Sequence, residues 1–172
     1  MIRVLFYAIF LFFSFLFQVS VTWFVPLTAI TPNLLLILVV SWALMRGEQT
    51  GIMLGFFAGL AVDIVFGDYL GIYALIFMFL GFVAGKFHRI YTSGGYVLPM
   101  VLIPGMDIAY GFACYVLFFL LRSRFAFWFY LFHIILPEAV FTLLVSLPLY
   151  PFYFFINERL EAGELRRAKK FV

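Results

Sequence analysis

Asp63, Asp107 and Glu138 are the residues of this sequence best placed to do chemistry, because each lies within or beside a long apolar run. A carboxylate held in hydrocarbon costs on the order of 3 kcal/mol, so it faces a partner, a wet cavity or a proton path. Asp63 stands three residues before the end of its run at Phe66, where water reaches it. It is expected to cap or hydrogen-bond a neighbouring loop, or to anchor a packing helix or a partner; proton relay is the remaining option. Asp107 lies about ten residues into its run, after Pro104 and Gly105, where a kink would free backbone groups and admit water. It reads as a hydrogen-bond hub or an ion site. Glu138 follows Pro137; if that proline opens the last helix, the helix dipole favours the charge in its first turn. Thr142 and Ser146 follow at intervals of four and would extend a polar stripe from it.

The other reactive side chains do not combine. His88 lies between Lys86 and Arg89 in a polar break and reads as a solvated loop residue, while His133 stands alone in an aromatic stretch. Neither has a second histidine or a cysteine at ligand spacing. Cys114 is the only cysteine, which excludes an intrachain disulfide or a cysteine metal site. No Ser/His/Asp arrangement, glycine-rich phosphate loop or paired-carboxylate motif occurs. The chain is therefore expected to be no enzyme and to need no cofactor or metal.

The elements that hold these residues follow from composition. Of 172 residues, 67% are apolar, 23% aromatic and only 11% charged, with a mean hydropathy of +1.17. Soluble domains carry roughly 25% charged residues. A water-soluble fold, a nucleic-acid module and a disordered tail are thereby excluded. The chain reads as an all-α polytopic integral membrane protein. A span needs roughly 20 apolar residues. Six helices are expected: Val4–Val21, Pro32–Met45, Gly51–Phe66, Gly71–Gly85, Val97–Leu121 and one within Ile134–Ile156. Thr31 is placed to cap the second, with Pro32 as its first helical residue. At ~21 Å that helix is short for a span. It is either embedded among its neighbours or continued by sheltered non-helical backbone. Arg3 before an apolar run resembles a signal peptide, but no small-x-small cleavage pattern follows, and an uncleaved first helix is expected.

Basic residues set the orientation. With six spans, one side carries Arg3, Arg46, Lys86, Arg89, Arg159, Arg166, Arg167, Lys169 and Lys170, and the other only Arg122 and Arg124. Both termini are thus expected in the cytoplasm, with Trp23, Trp128 and the aromatic stretch Phe125–Phe132 at the outer interface. Residues 1–157 would form the bundle and 158–172 a basic cytoplasmic tail. In that tail Arg166, Arg167, Lys169 and Lys170 are expected to contact lipid headgroups, at ~1 kcal/mol each.

Gly47, Gly51, Gly55, Gly59, Asp63, Gly67 and Gly71 place a small or acidic residue at every fourth position. In a membrane, glycine lets another helix approach closely. Such a row drifts around the helix, so Gly55, Gly59 and Asp63 are expected to share one face. Gly81 and Gly85 repeat the spacing on the next helix. The row from Gly51 to Gly71 reads as a helix-packing face or as a docking face for another protein.

Two stretches resemble the bacterial rod shape-determining MreD family. One is Thr31-Pro32-Asn33-Leu34-Leu35, like that family's Pro-(Asp/Asn)-Leu-Leu opening of the second helix. The other is Gly51, Gly55-Phe56, Gly59-Leu60 and Asp63, continuing into Gly67 and Leu70-Gly71, like its G-x-x-x-G-F-x-x-G-L-x-x-D signature. Leu136-Pro137 before a proline-interrupted last span and the short basic tail also fit. The resemblance implies a non-enzymatic scaffold in the inner membrane that helps position peptidoglycan synthesis during cell elongation. It implies as partners MreC, a RodA-type glycosyltransferase, a penicillin-binding transpeptidase and, indirectly, the MreB filament. It also implies a likeness to the substrate-binding subunits of energy-coupling-factor transporters. A vitamin or metabolite transport subunit is accordingly the alternative. Those subunits commonly carry an Ala-x-x-x-Ala contact on the first helix, where Val4–Val21 contains only Ala8.

Overall fold

The computed structural model describes residues 2–24, 31–67, 70–91, 95–120 and 127–168. Helices α1 (Ile2–Phe24), α2 (Leu34–Arg46), α3 (Glu48–Phe66), α4 (Ile72–Lys86) and α5 (Val97–Cys114) are followed by α6 (Phe127–Tyr130) and α7 (Leu136–Ala168). A 3-10 turn, Phe87–Arg89, closes α4, and π-helical turns extend α5 over Tyr115–Leu120 and join α6 to α7 over Leu131–Ile135. No strand occurs among the described residues. Four helical stretches, Glu48–Phe66, Ile72–Arg89, Val97–Leu117 and Trp128–Gly163, are long and apolar enough to cross a membrane; Leu5–Val21 and Leu34–Arg46 are shorter apolar helices.

The core is centred on one helix. Every residue of α2 from Leu34 to Met45 is buried, with Trp42 wholly enclosed, and α1, α3, α4, α5 and α7 all pack against it. A helix apolar on every side belongs inside a bundle. Its 13 residues span about 20 Å, less than the ~30 Å hydrocarbon thickness. The embedded alternative therefore describes α2. Its start differs from expectation: Asn33, not Thr31, is the cap, and Pro32 lies outside the helix. The Asn33 side-chain oxygen accepts the Leu36 N–H at 3.1 Å, a bond that an amide two residues further along the chain is better placed to make. The outer surface is apolar: Phe13, Phe17, Ile64, Leu75, Phe79 and Val101 are among the large side chains left exposed. Lipid is the solvent that suits such a surface.

The last helix also differs. Its helical path starts upstream of Pro137, with α6 and a π turn leading directly into α7. Pro137 has no N–H to donate, and the wider turn before it lets the Leu136 N–H reach Leu131 O five residues back. Glu138 does lie in the first turn of α7, but that turn follows other helical residues rather than a free end. Pro148 and Pro151 are accommodated within α7, which continues unbroken past Asn157 to Ala168. The backbone at Arg166 and Arg167 is thus helical, while their side chains, Lys169, Lys170, Arg122, Arg124 and Leu121 lie outside the described residues.

Candidate functional site

Helices α3 and α4 form a hairpin in which backbone meets backbone. A Cβ at Gly55 would fall on the Phe77 carbonyl and 2.9 Å from Met78 Cα; one at Gly59 would strike the backbone of Tyr73 and Ala74. Gly51 and Gly81 oppose each other's carbonyls, and Gly85 lies against the backbone of Glu48. The shared face is therefore longer than expected, because Gly51 joins Gly55, Gly59 and Asp63 on it. The two backbones stay close along the whole row, from Gly85 against Glu48 at one end to Gly59 against Ala74 at the other. Gly67 and Gly71 have other reasons to be glycine. Gly67 closes α3, donating its N–H to Asp63 O at 3.1 Å. Gly71 opens α4 with φ +102° in the left-handed region, and a Cβ there would meet open space.

Asp63 completes the hairpin. Its side chain is 2% exposed, and its two carboxylate oxygens accept the N–H groups of Tyr73 at 3.0 Å and Ala74 at 2.9 Å. These are among the first N–H groups of α4, which have no partner within their own helix. Carboxylate, dipole and orphan donors thus satisfy one another.

A second polar group lies where α2, α5 and α7 meet. Thr142 and Ser146 of α7 are fully buried; Thr142 Oγ1 accepts the Asn33 N–H at 3.1 Å, and Ser146 donates to Leu143 O at 2.7 Å. The Asp107 carboxyl, 2% exposed, lies beside Thr142 and Asn33, yet neither of its oxygens receives a well-formed hydrogen bond. Beside this junction is a cavity of about 180 Å³ onto which Gln18, Asn33, Tyr73, Tyr110 and Glu138 open. Gln18 Oε1 also accepts the Leu34 N–H at 2.8 Å, so α1 helps to close the start of α2. Asn33 and Gln18 carry this junction; Asn33 entered the sequence reading only as part of the family-like Pro-Asn-Leu-Leu stretch, and Gln18 not as a site residue. For Asn33 the signal was present, an amide directly before an apolar run.

At the opposite, basic end of α2, Arg46 donates from Nε to Asn157 Oδ1 of α7 at 2.5 Å. His88 is exposed but not merely solvated: its Nδ1 lies 2.7 Å from Leu44 O, so it donates to a terminal carbonyl of α2. His133 stacks on Phe129 at 4.3 Å between ring centres and reaches Phe129 O at 3.2 Å. Tyr91 and Tyr150 hydroxyls meet at 2.6 Å, a tie between distant segments that no spacing announces. Among the described residues no group of three or more His, Cys, Asp or Glu side chains could hold a metal ion.

The family model for the rod shape-determining protein MreD matches residues 1–158, from α1 through most of α7. The chain belongs to the MreD family. Membership makes it a multi-pass, rod-shape-determining membrane protein of the MreBCD system. No curated protein and no solved structure matches the chain, so the expected likeness to energy-coupling-factor subunits has no solved neighbour to rest on. The residues that carry the MreD resemblance have definite structural places. Asn33 caps α2, Gly51, Gly55 and Gly59 line the α3–α4 contact, and Asp63 caps α4.

Proposed function

We propose that this MreD chain is a non-catalytic scaffold of the bacterial elongation complex. It sits in the inner membrane with both termini in the cytoplasm and helps to position peptidoglycan synthesis along the lateral wall. The observation that carries the reading is the family match over residues 1–158, from α1 through most of α7. The basic bias between the two sides of the bundle supports the orientation. Its partners are MreC, a RodA-type glycosyltransferase and a penicillin-binding transpeptidase, with the MreB filament reached indirectly, and Arg166, Arg167, Lys169 and Lys170 touch lipid headgroups.

The glycine face of α3 is already occupied by α4. Partner helices then dock on the lipid-facing sides, where Phe, Ile and Leu side chains are exposed. The test is complementation of a rod-shaped strain lacking its own MreD, scored by cell width, together with affinity purification from native membranes. Rod width should be restored and the synthesis enzymes recovered. Round cells from a normally accumulating protein, together with tight binding of a small metabolite, would sink the scaffold reading in favour of a transport subunit.

A further inference from the structure

The basic end of the bundle contains a cavity that neither the family match nor the proposed role accounts for. It measures about 560 Å³ and is walled by Arg46, Glu48, Lys86, His88 and Arg89, with Gly47 and Gly85 among its lining residues. That volume lies within the roughly 300–1,000 Å³ usual for small-ligand sites. Its walls come from three helix ends. The last residues of α2 and α4 supply Arg46 and Lys86, the 3-10 turn supplies His88 and Arg89, and α3 begins at Glu48.

Glycine brings these ends together. Gly85 lies against the Glu48 backbone, and Gly47 turns the chain from α2 into α3 with φ +90°. A side chain at either position would be clashing or strained. The glycine at the N-cap has a second effect, since it leaves α3 with no side-chain cap. The starts of α2 and α4 are satisfied from within the chain, by Asn33 and by Asp63 respectively. The start of α3, at Glu48 and Gln49, lies in the cavity wall beside three permanent cations.

Two of the wall groups are fixed in place. Arg46 is half-buried and bonded to Asn157, and His88 is held by Leu44 O. Lys86 lies over the Phe82 ring at 4.5 Å from its centre, keeping its stem along the apolar surface and its charge at the interface. A positive helix start combined with guanidinium and ammonium donors is the arrangement that receives phosphate oxygens.

We propose that this cavity binds a phosphate group, carried either by an anionic phospholipid at the membrane surface or by a soluble phosphorylated molecule. The site is distinct from the basic tail, being built from α2, α3, α4 and the turn after α4. It does not depend on the scaffold reading, because it is tested by binding alone.

The experiment uses the full chain in phosphatidylcholine nanodiscs. One arm adds phosphatidylglycerol and follows its retention by native mass spectrometry. The other titrates inorganic pyrophosphate into discs of phosphatidylcholine alone and follows the melting temperature. Lys86→Gln and Arg89→Gln remove exposed cations from the wall. Arg159→Gln is the control: it is a base of α7 that lies over Phe155 and takes no part in the cavity.

Each wall variant should weaken binding about fivefold, the equivalent of ~1 kcal/mol per basic residue near anionic headgroups, with Arg159→Gln unchanged. That pattern for phosphatidylglycerol assigns the site to a lipid headgroup, and for pyrophosphate alone to a soluble phosphate. An equal loss in Arg159→Gln would overturn the proposal, leaving a diffuse basic surface, as would wall variants that bind like the unaltered chain in both arms.

Discussion

The α3–α4 hairpin and the junction of α2, α5 and α7 each bury a carboxylate to 2% exposure, at Asp63 and Asp107, and they treat it differently. Asp63 accepts two backbone N–H groups at the start of α4, so its charge is met by donors and by the helix dipole. Asp107 lies beside Thr142 and Asn33 with neither oxygen well bonded. Around Asp63 the helices touch through glycine, with no room for a methyl group; Asp107 is enclosed instead by the side chains of Asn33, the cap of α2, and Thr142 of α7. The hairpin acid is therefore a component of the fold. The junction acid contributes less, since only the Thr142 and Asn33 side chains lie beside it to offset the cost of its burial.

The contrast is most easily broken at the hairpin. Gly55→Leu and Gly59→Leu drive a side chain into the backbone of α4, and overpacking of this kind costs about 3 kcal/mol or more. Membrane levels should collapse, and detergent extracts should melt well below the unaltered protein. Normal accumulation of both variants would mean that the two helices do not touch as described. Next in size is Asp63→Ala, which strips the start of α4 of both its acceptors and should cost about 1–3 kcal/mol. Asp63→Asn keeps one acceptor and should lose roughly half as much, so a thermal-melt series orders the unaltered protein, Asn and Ala.

The junction should behave otherwise. Asp107→Asn replaces a poorly bonded carboxyl with a neutral amide, and stability should change by less than about 1 kcal/mol or rise. Rod shape should survive it in complementation. If Asp107→Asn melts as low as Asp63→Ala, the two carboxylates are equivalent and the comparison fails. The smallest effect is expected at Gly105, where a Cβ would meet nothing within 4 Å. Gly105→Ala should raise the melting temperature slightly, by no more than about 1 kcal/mol of helix propensity. A loss there would point to close packing on that side of α5.

Much of this was legible in the sequence, and for a physical reason. Long apolar runs between polar breaks become helices once lipid is the solvent, since a helix satisfies its own polar groups and the alternation of a closed barrel is absent. The glycine spacing on α3 was visible too, although the length of its contact was not. How long an i+4 row stays in register depends on the crossing angle of the partner, which no single helix encodes. The cap of α2 was misplaced by two residues, because Thr31-Pro32 satisfies the usual start signal while Asn33 makes the bond. The start of the last helix is open in the sequence, with Pro137 one possible first residue because proline favours that position; here a π turn carries the helical path through it. Pairings such as Arg46 with Asn157 and Tyr91 with Tyr150 join residues far apart in sequence, and only the packed bundle brings them together.

Both ends of α2 are held by α7. Asn33 donates its backbone N–H to Thr142, and Arg46 bonds Asn157, so the second helix to be synthesised is secured by the last. With only 13 residues, α2 is too short to rest in lipid as an independent span. During synthesis α2 is therefore expected to lack both of these anchors until the residues of α7 have been made. A nascent chain stopped before Thr142 would present an unfinished centre to the membrane insertion machinery and to quality-control proteases. Completion of α7 is thus the step expected to close the bundle, and degradation of truncated chains should fall sharply once the chain extends past Asn157.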